Sequence, residues 1–234
     1  MKVNSLIFIL IFLGLSSIVC GQNNSKPKIW CDYLLYLPEN YSNQTDSFPL
    51  LIYLHGGSMR GDNLEKLKVY GLPKLIDSGN QYEFIIASPQ CPNDTYWSRI
   101  NWFDSLNHEL NSKYRIDKNR IYVSGISMGG FGAWHAAMDN PDKIAAIIPM
   151  CGGCNDSLEI CRINHIPIWT FHGTADKHIE FNETEQLVDR LKMCNGNVKF
   201  TKLDSKGHDI GYIYENKEIY NWFLKQNKKL KKAL

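Results

Sequence analysis

The chain has 234 residues and a formal net charge of +2; 44% of its residues are hydrophobic and 21% are charged. This composition is typical of a globular protein and excludes a disordered or fibrous chain. The nearly balanced charge predicts no general attraction to nucleic acid.

The N-terminal segment has the order of a secretory signal. Lys2 supplies a positive charge, an uncharged apolar run extends from Leu6 to Leu15, and small residues precede Cys20. A spanning helix needs about 20 apolar residues, so no stable membrane span is expected, although an N-terminal anchor is an alternative. We predict a signal peptide over residues 1–21, a single domain over residues 22–234, and a secreted, periplasmic or extracellular location. Lipid anchoring at Cys20 is a second alternative, but the residues before it fit a lipoprotein cleavage box poorly.

The chain contains seven cysteines. Without Cys20 the count is even, which allows disulfides in an exported protein. Cys154 and Cys161 would close a short loop, but the sequence does not fix the pairing. A zinc site in this cluster is disfavoured, because no second Cys pair or His pair lies nearby at ligand spacing.

Strand-like apolar segments alternate with helical segments along the chain. The predicted strands are 29–37, 49–54, 84–87, 120–124, 144–149, 166–171 and 198–203. The predicted helices are 64–76, 102–114, 128–138, 183–194 and 213–225. This alternation favours an α/β fold with a mostly parallel central sheet and helices on both faces. In such a sheet, functional residues are expected at the carboxyl ends of the strands.

A candidate nucleophile follows the strand at 120–124. The segment Gly125-Ile126-Ser127-Met128-Gly129 comes directly after that strand and opens the next predicted helix. A serine in this pattern stands on a sharp strand-to-helix turn, and the glycines let helix and strand approach closely. We therefore identify Ser127 as the candidate nucleophile.

Three other strand ends carry the remaining candidates. In His55-Gly56-Gly57 a glycine turn can point the backbone N–H of Gly57 at a developing oxyanion, with the N–H of Met128 as second donor. We interpret His55 itself as structural. Asp176 follows the strand at 166–171 and is the candidate acid, and His208 lies in a glycine-containing loop and is the candidate base.

The chain order Ser127, Asp176, His208 separates α/β-hydrolases from chymotrypsin-like and subtilisin-like enzymes. Between about Leu50 and Ile210, the chain resembles short secreted esterases of the α/β-hydrolase superfamily: the polyhydroxybutyrate-depolymerase-like, feruloyl-esterase-like and phospholipase/carboxylesterase-like groups, which are related to the prolyl oligopeptidase catalytic domain. The segments that carry the resemblance are LIYLHGGSMRGDN, IIASPQCP, YRIDKNRIYVSGISMGGFGAW, PDKIAAIIPMCGG, IPIWTFHGTADKHIEF and KGHDI.

The resemblance implies an α/β-hydrolase fold and gives Ser127, Asp176 and His208 the triad positions. It gives Gly57 and Met128 the oxyanion positions. It also places Trp97 at the rim of the active site as a substrate-binding residue, with packing as the alternative role.

The substrate is less well determined. The short stretch between the strands at 144–149 and 166–171 leaves no room for a large cap domain, so an open site is expected. We expect a secreted serine carboxylic-ester hydrolase that acts through an acyl-enzyme on acyl or feruloyl esters attached to carbohydrate, with no metal and no other cofactor. Alternatives are a lysophospholipase or carboxylesterase of small or lipid esters, a prolyl-oligopeptidase-like peptidase, and a non-catalytic binding protein. The oligomeric state is left open.

Overall fold

One mixed sheet organises the computed structural model, which describes residues 31–155 and 157–231. Its strands are β1 Tyr33–Tyr36, β2 Phe48–Leu54, β3 Ile85–Pro89, β4 Ile116–Ile126, β5 Ala146–Met150, β6 Ile168–Gly173 and β7 Val198–Leu203. The order across the sheet is β1-β3-β2-β4-β5-β6-β7. All pairs are parallel except β1 with β3, which is antiparallel. The predicted mostly parallel α/β fold is confirmed, whereas the predicted signal peptide and the Cys20 anchor lie outside the described residues.

Helices cover both faces of the sheet. The α-helices of the described part are α1 Gly71–Asp77, α2 Phe103–Lys113, α3 Met128–Asp139, α4 Phe181–Met193, α5 Lys217–Leu224 and α6 Lys228–Lys231. Apolar residues of α2, α3 and α4 pack on one face, and those of α1 and α5 on the other. Strand β2 is buried along its whole length: Leu50 and Ile52 face the first layer and Leu51 faces the second. A central strand with two covered faces must be apolar throughout, which explains its continuous hydrophobic run.

Two predicted helices are interrupted in the structure. The segment expected as a helix over 64–76 is a 3₁₀ helix, Leu64–Val69, followed by extended Tyr70 and then α1. Gly71 has φ of +62°, and a Cβ at that position would come within 2.1 Å of the Tyr53 hydroxyl, so only glycine fits this break. The segment expected as a helix over 213–225 divides at Asn216, whose side chain caps α5 by accepting from the Glu218 N–H.

The connection from β5 to β6 is short, as expected. It contains a 3₁₀ helix, Ser157–Ile163, and within it Cys161 forms a disulfide with Cys194 at the end of α4. The short loop between Cys154 and Cys161 that the sequence suggested does not form, because Cys161 is bonded to Cys194 instead. Among residues 31–155 and 157–231, every helix is too short or too polar to cross a lipid bilayer.

Candidate active site

The turn between β4 and α3 is sharply strained at Ser127, which has φ of 57° and ψ of −121°. A Cβ on Gly125 would lie 2.3 Å from the carbonyl oxygen of Gly129, and a Cβ on Gly129 would lie 2.0 Å from that of Leu54. Side chains at these positions are therefore excluded by backbone atoms. The glycines let α3 start against the sheet, so that the serine side chain stands at the carboxyl end of β4.

The structure brings the three predicted polar residues together. His208 Nε2 lies 2.8 Å from Ser127 Oγ, and His208 Nδ1 lies 2.7 Å from Asp176 Oδ2. The Asp176 side chain is fully buried, whereas that of His208 is 23% exposed. The hydroxyl, imidazole and carboxylate thus form one continuous hydrogen-bonded chain, which is buried at the carboxylate and partly exposed at both the imidazole and Ser127.

Asp176 is held by its own turn as well as by His208. Its Oδ1 accepts from the N–H groups of His178 at 2.8 Å and Ile179 at 3.1 Å. Burial by itself raises the pKa of this carboxyl, but the hydrogen bonds from His208, Ile179 and His178 outweigh it and hold the pKa below its usual value. The side chain is therefore a carboxylate at neutral pH, able to orient the imidazole through Nδ1.

Two backbone N–H groups occupy equivalent positions at helix starts. Gly57 is the first residue of a 3₁₀ helix, Gly57–Met59, and Met128 is the first residue of α3. The N–H groups at the start of a helix have no partner within the helix, and they attract negative charge. Gly57 and Met128 are therefore the candidate donors for an oxyanion that forms beside Ser127.

The His55 ring fixes the peptide unit between Gly56 and Gly57. The Cys91 N–H donates to His55 Nε2 at 2.9 Å, so the ring proton sits on Nδ1, which donates to the Gly56 carbonyl oxygen at 2.7 Å. Burial lowers the pKa of His55 to about 4, which keeps the ring neutral at neutral pH. The Gly56 carbonyl and the Gly57 N–H belong to the same planar peptide unit and point in opposite directions. Fixing the carbonyl therefore fixes the direction of the N–H.

The serine and histidine open into a cleft of 370 Å³. Its walls are formed by Gly56, Gly57, Ser58, Met59, Tyr70, Ile126, Ser127, His208 and Asp209. Tyr70 donates to Asp209 Oδ1 at 2.6 Å, and its hydroxyl oxygen accepts from the Gly211 N–H at 2.9 Å. Sequence reasoning missed both residues; the only signal was that Asp209 follows His208 directly.

Trp97 lies in the core instead of at the rim of this cleft. It is 1% exposed, and its indole N–H donates to the His55 carbonyl oxygen at 3.0 Å. Its ring packs edge-to-face against Trp102, with centroids 5.7 Å apart. The structure therefore gives Trp97 the packing role that the sequence left as the alternative, beneath the loop that carries Gly57.

One group of described residues has ligand atoms close enough to hold a metal ion: Cys151, His172 and Asp176, all within 4.8 Å of one another. His172 Nε2 already lies 3.2 Å from Asp176 Oδ2, and burial raises the pKa of the Cys151 thiol to about 12. Both ring nitrogens of His172 already have hydrogen-bond partners: Nδ1 lies 2.8 Å from Thr184 Oγ1, and Nε2 lies 3.1 Å from the Ile179 carbonyl oxygen. We therefore assign this group to the support of Asp176.

Comparison with known proteins places the chain among ester hydrolases by sequence and by fold. The sequence profile of the phospholipase/carboxylesterase family matches residues 100–221, just over half of the chain. A bifunctional acetylxylan esterase/xylanase of Neocallimastix patriciarum is 30% identical over 167 residues, which are 69% of this chain and 24% of that protein. Feruloyl esterase D of Neurospora crassa is 27% identical over 179 residues, 70% of this chain and 59% of that protein.

Among solved structures, a thermostable esterase superposes with a TM-score of 0.68 and 30% identity, covering 83% of this chain and 59% of that chain. The chain therefore spans from about a quarter to about three fifths of the length of these relatives.

Proposed function

The chain belongs to the phospholipase/carboxylesterase family, and on this premise we propose that it is an exported serine hydrolase of carboxylic esters with Ser127, His208 and Asp176 as its catalytic triad. The observation that carries the proposal is the pair of hydrogen bonds on the imidazole: Nε2 to the serine hydroxyl at 2.8 Å and Nδ1 to the carboxylate at 2.7 Å. Export is supported by the order of residues 1–21 and by the disulfide between Cys161 and Cys194.

The proposed reaction is a two-step acyl transfer. Ser127 Oγ attacks the ester carbonyl carbon while His208 Nε2 accepts its proton, and the same proton is then given to the leaving alcohol. Water attacks the acyl-enzyme in the second step, with His208 again as base. Asp176 holds the imidazole by Nδ1–H and stabilises its charged form.

The N–H groups of Gly57 and Met128 are proposed to stabilise the oxyanion of each tetrahedral intermediate. Both belong to helix starts whose N–H groups have no partner within the helix. Preorganised donors of this kind are worth about 3 kcal/mol each in the transition state, because they need no reorientation as charge develops.

For substrate we propose acyl or feruloyl esters of carbohydrates. The proposal rests on the names of two relatives, an acetylxylan esterase/xylanase and a feruloyl esterase. It also rests on the short β5–β6 connection, whose one 3₁₀ helix leaves the cleft open to a polymer-attached ester. Met59 and Ile126 give the cleft an apolar wall for an acyl group.

The catalytic assignment is tested with Ser127→Ala and a fluorophosphonate probe. The wild-type protein should be labelled and should hydrolyse p-nitrophenyl acetate; Ser127→Ala should show no labelling and background turnover. Ser112→Ala, an exposed serine on α2, is the matched control and should behave as wild type. Equal turnover by wild type and Ser127→Ala would remove the proposal.

The substrate class is tested separately with a panel of acetylated xylan, methyl ferulate, lysophosphatidylcholine and p-nitrophenyl butyrate. We expect the highest kcat/KM on the carbohydrate-linked or feruloyl esters. A preference for lysophosphatidylcholine would replace the carbohydrate substrate with a lipid one and leave the triad assignment intact.

A further inference from the structure

Two cysteines, Cys31 and Cys91, lie just beyond the ladder that joins β1 and β3 at the edge of the sheet. The antiparallel register of β1 and β3 pairs Tyr33 with Pro89. The Gln90 N–H donates to the Asp32 carbonyl oxygen at 2.9 Å, which extends the ladder one pair beyond the strand ends. Continuing this register by one residue in each chain segment places Cys31 opposite Cys91.

This pair of positions suits a covalent crosslink. Because Asp32 and Gln90 form a hydrogen-bonded pair, Cys31 and Cys91 occupy the neighbouring non-hydrogen-bonded pair, where Cα atoms are about 4.5 Å apart and side chains approach most closely. Disulfides form over Cα separations of about 4.4–6.8 Å. Both residues are buried, at 9% and 0% exposure. Burial and the neighbouring Cys91 both raise the pKa of the Cys31 thiol to about 12, so the two sulfurs lie within electrostatic reach of each other.

The other cysteines of the described part offer no comparable pair. Cys161 and Cys194 are already bonded. Cys151 and Cys154 have a C-x-x-C spacing, but their side chains pack in cores on opposite faces of the sheet. The sheet therefore separates them even though the sequence brings them close.

We propose that Cys31 and Cys91 form a second disulfide, which ties the N-terminal strand β1 to the end of β3. The oxidant is another disulfide, either oxidised glutathione or a protein thiol–disulfide oxidoreductase. One cysteine thiolate attacks a sulfur of the oxidant and releases one thiol; the second cysteine then attacks the mixed disulfide and releases the other. Two electrons reduce the oxidant's S–S bond, and the two protons of the cysteine thiols end on the released thiols.

This crosslink forms during folding and does not act as a switch. Burial raises the pKa of Cys91, as of Cys31, to about 12. Since the thiolate is the reactive species, buried thiols of this kind exchange slowly in the folded protein. The bond has to close while β1 is still docking against β3.

The crosslink bears on the candidate active site through one backbone group. The Cys91 N–H is the donor that fixes the His55 ring, and the His55 ring in turn holds the peptide that carries the Gly57 N–H. A disulfide between Cys31 and Cys91 would therefore link β1 covalently to the residue whose N–H positions His55 beside the Gly56–Gly57 peptide.

The test is peptide mapping of the exported full chain, or of chain refolded in a mixture of reduced and oxidised glutathione. Free thiols are alkylated in denaturant before digestion without reductant. We expect a crosslinked peptide pair containing Cys31 and Cys91, lighter by two hydrogen atoms than the sum of its parts, while Cys151 is fully alkylated. Full alkylation of Cys31 and Cys91 under both conditions would overturn the proposal, whatever the esterase assays show.

A second measurement uses thermal unfolding of Cys31→Ala, Cys91→Ala and the double variant. A disulfide is lost completely in either single variant, so both should melt several degrees below wild type and the double variant only slightly lower. In reductant strong enough to cleave all disulfides, the gap between wild type and the variants should shrink. If the losses in melting temperature of the two single variants add up in the double variant and do not change in reductant, the two cysteines contribute only packing. That result would overturn the crosslink.

Discussion

His55 Nδ1 donates a hydrogen bond of 2.7 Å to the carbonyl oxygen of Gly56, the peptide unit that also carries the Gly57 N–H. The ring is neutral and has its single proton on Nδ1, because Nε2 is occupied as acceptor of the Cys91 N–H. A buried histidine that takes no part in proton transfer thus fixes the direction of a proposed oxyanion donor.

Replacing His55 should lower kcat more than it changes KM. His55→Leu has a side chain of similar bulk but removes the shorter of the two hydrogen bonds on the Gly56 carbonyl oxygen, leaving only the Met59 N–H at 3.2 Å. The direction of the Gly57 N–H is then less firmly fixed. Loss of one oxyanion donor costs about 100- to 1,000-fold in kcat, and we expect a loss of about 10- to 100-fold because the donor is misdirected and not removed. His55→Asn, whose amide N–H can replace Nδ1–H, should recover part of the rate.

Steady-state kinetics on p-nitrophenyl acetate measure the effect of His55→Leu. The control is His108→Leu, which replaces an exposed histidine on α2. A wild-type kcat in His55→Leu would contradict the prediction.

Acid should destabilise the protein through His55. Its pKa in the folded state is about 4, against an ordinary value of 6.5, because burial disfavours the charged ring. Between these values the unfolded chain binds a proton that the folded chain does not, so stability rises with pH across this interval. We expect the contribution of His55 to the free energy of unfolding to be nearly constant above about pH 6.5. It should fall by about 3 kcal/mol as the pH drops to 4.

Urea denaturation between pH 4 and 8 measures this loss. The pKa of His172 is also lowered by burial and adds to the slope in the same direction. The comparison of wild type with His55→Asn isolates the contribution of His55, since the variant has no titrating group there. Identical slopes for the two proteins would show that His55 does not titrate as described.

Tyr70→Phe should loosen the loop that carries His208. The tyrosine hydroxyl donates to the Asp209 carboxylate and accepts from the Gly211 N–H. Both residues lie in the segment that directly follows His208. We expect a loss of about 1–2 kcal/mol in stability and a drop of about tenfold in kcat, since the imidazole must stay within hydrogen-bond reach of Ser127. Tyr36→Phe, which also loses hydroxyl hydrogen bonds but lies on β1, is the matched control and should keep full kcat.

Gly129→Ala should disrupt the turn at Ser127, whereas Gly57→Ala should be tolerated. A Cβ at Gly129 would lie 2.0 Å from the Leu54 carbonyl oxygen, but a Cβ at Gly57 has no heavy atom within 4 Å. Overpacking against backbone that cannot move costs about 3 kcal/mol, so Gly129→Ala should unfold at lower denaturant and lose activity. Gly57→Ala retains the backbone N–H and should retain both properties. Equal stability of the two variants would contradict the assigned role of Gly129.

Removing the Cys161–Cys194 disulfide should cost stability without costing catalysis. The crosslink spans 33 residues, for which the loss of unfolded-state entropy corresponds to about 4 kcal/mol. Cys161→Ala/Cys194→Ala should therefore unfold at lower denaturant, while its kcat/KM at low temperature stays at the wild-type value. A parallel loss of kcat/KM would show that the β5–β6 connection shapes the cleft as well.

Local patterns in the sequence predicted the parts of the site that short-range geometry controls. Ser127 lies between two glycines after a strand, Asp176 follows another strand and His208 lies in the last loop. These positions, the chain order and the family resemblance identified the three residues, and the structure brings them into contact. The boundaries of the helices were predicted less well. Whether 64–76 continues through residue 71 depends on the Tyr53 hydroxyl, which reaches it from β2.

The sequence by itself determined the alternation of strands and helices, the apolar run of β2 and the glycine-bounded serine, because each depends on neighbours a few residues away. Only the tertiary structure decided the burial of Trp97, the pairing of Cys161 with Cys194 and the contact of Tyr70 with Asp209. These last partners are 139 residues apart in the chain. Such contacts follow from the order of strands across the sheet and from which face each side chain packs on, and neither is encoded in any single stretch of sequence.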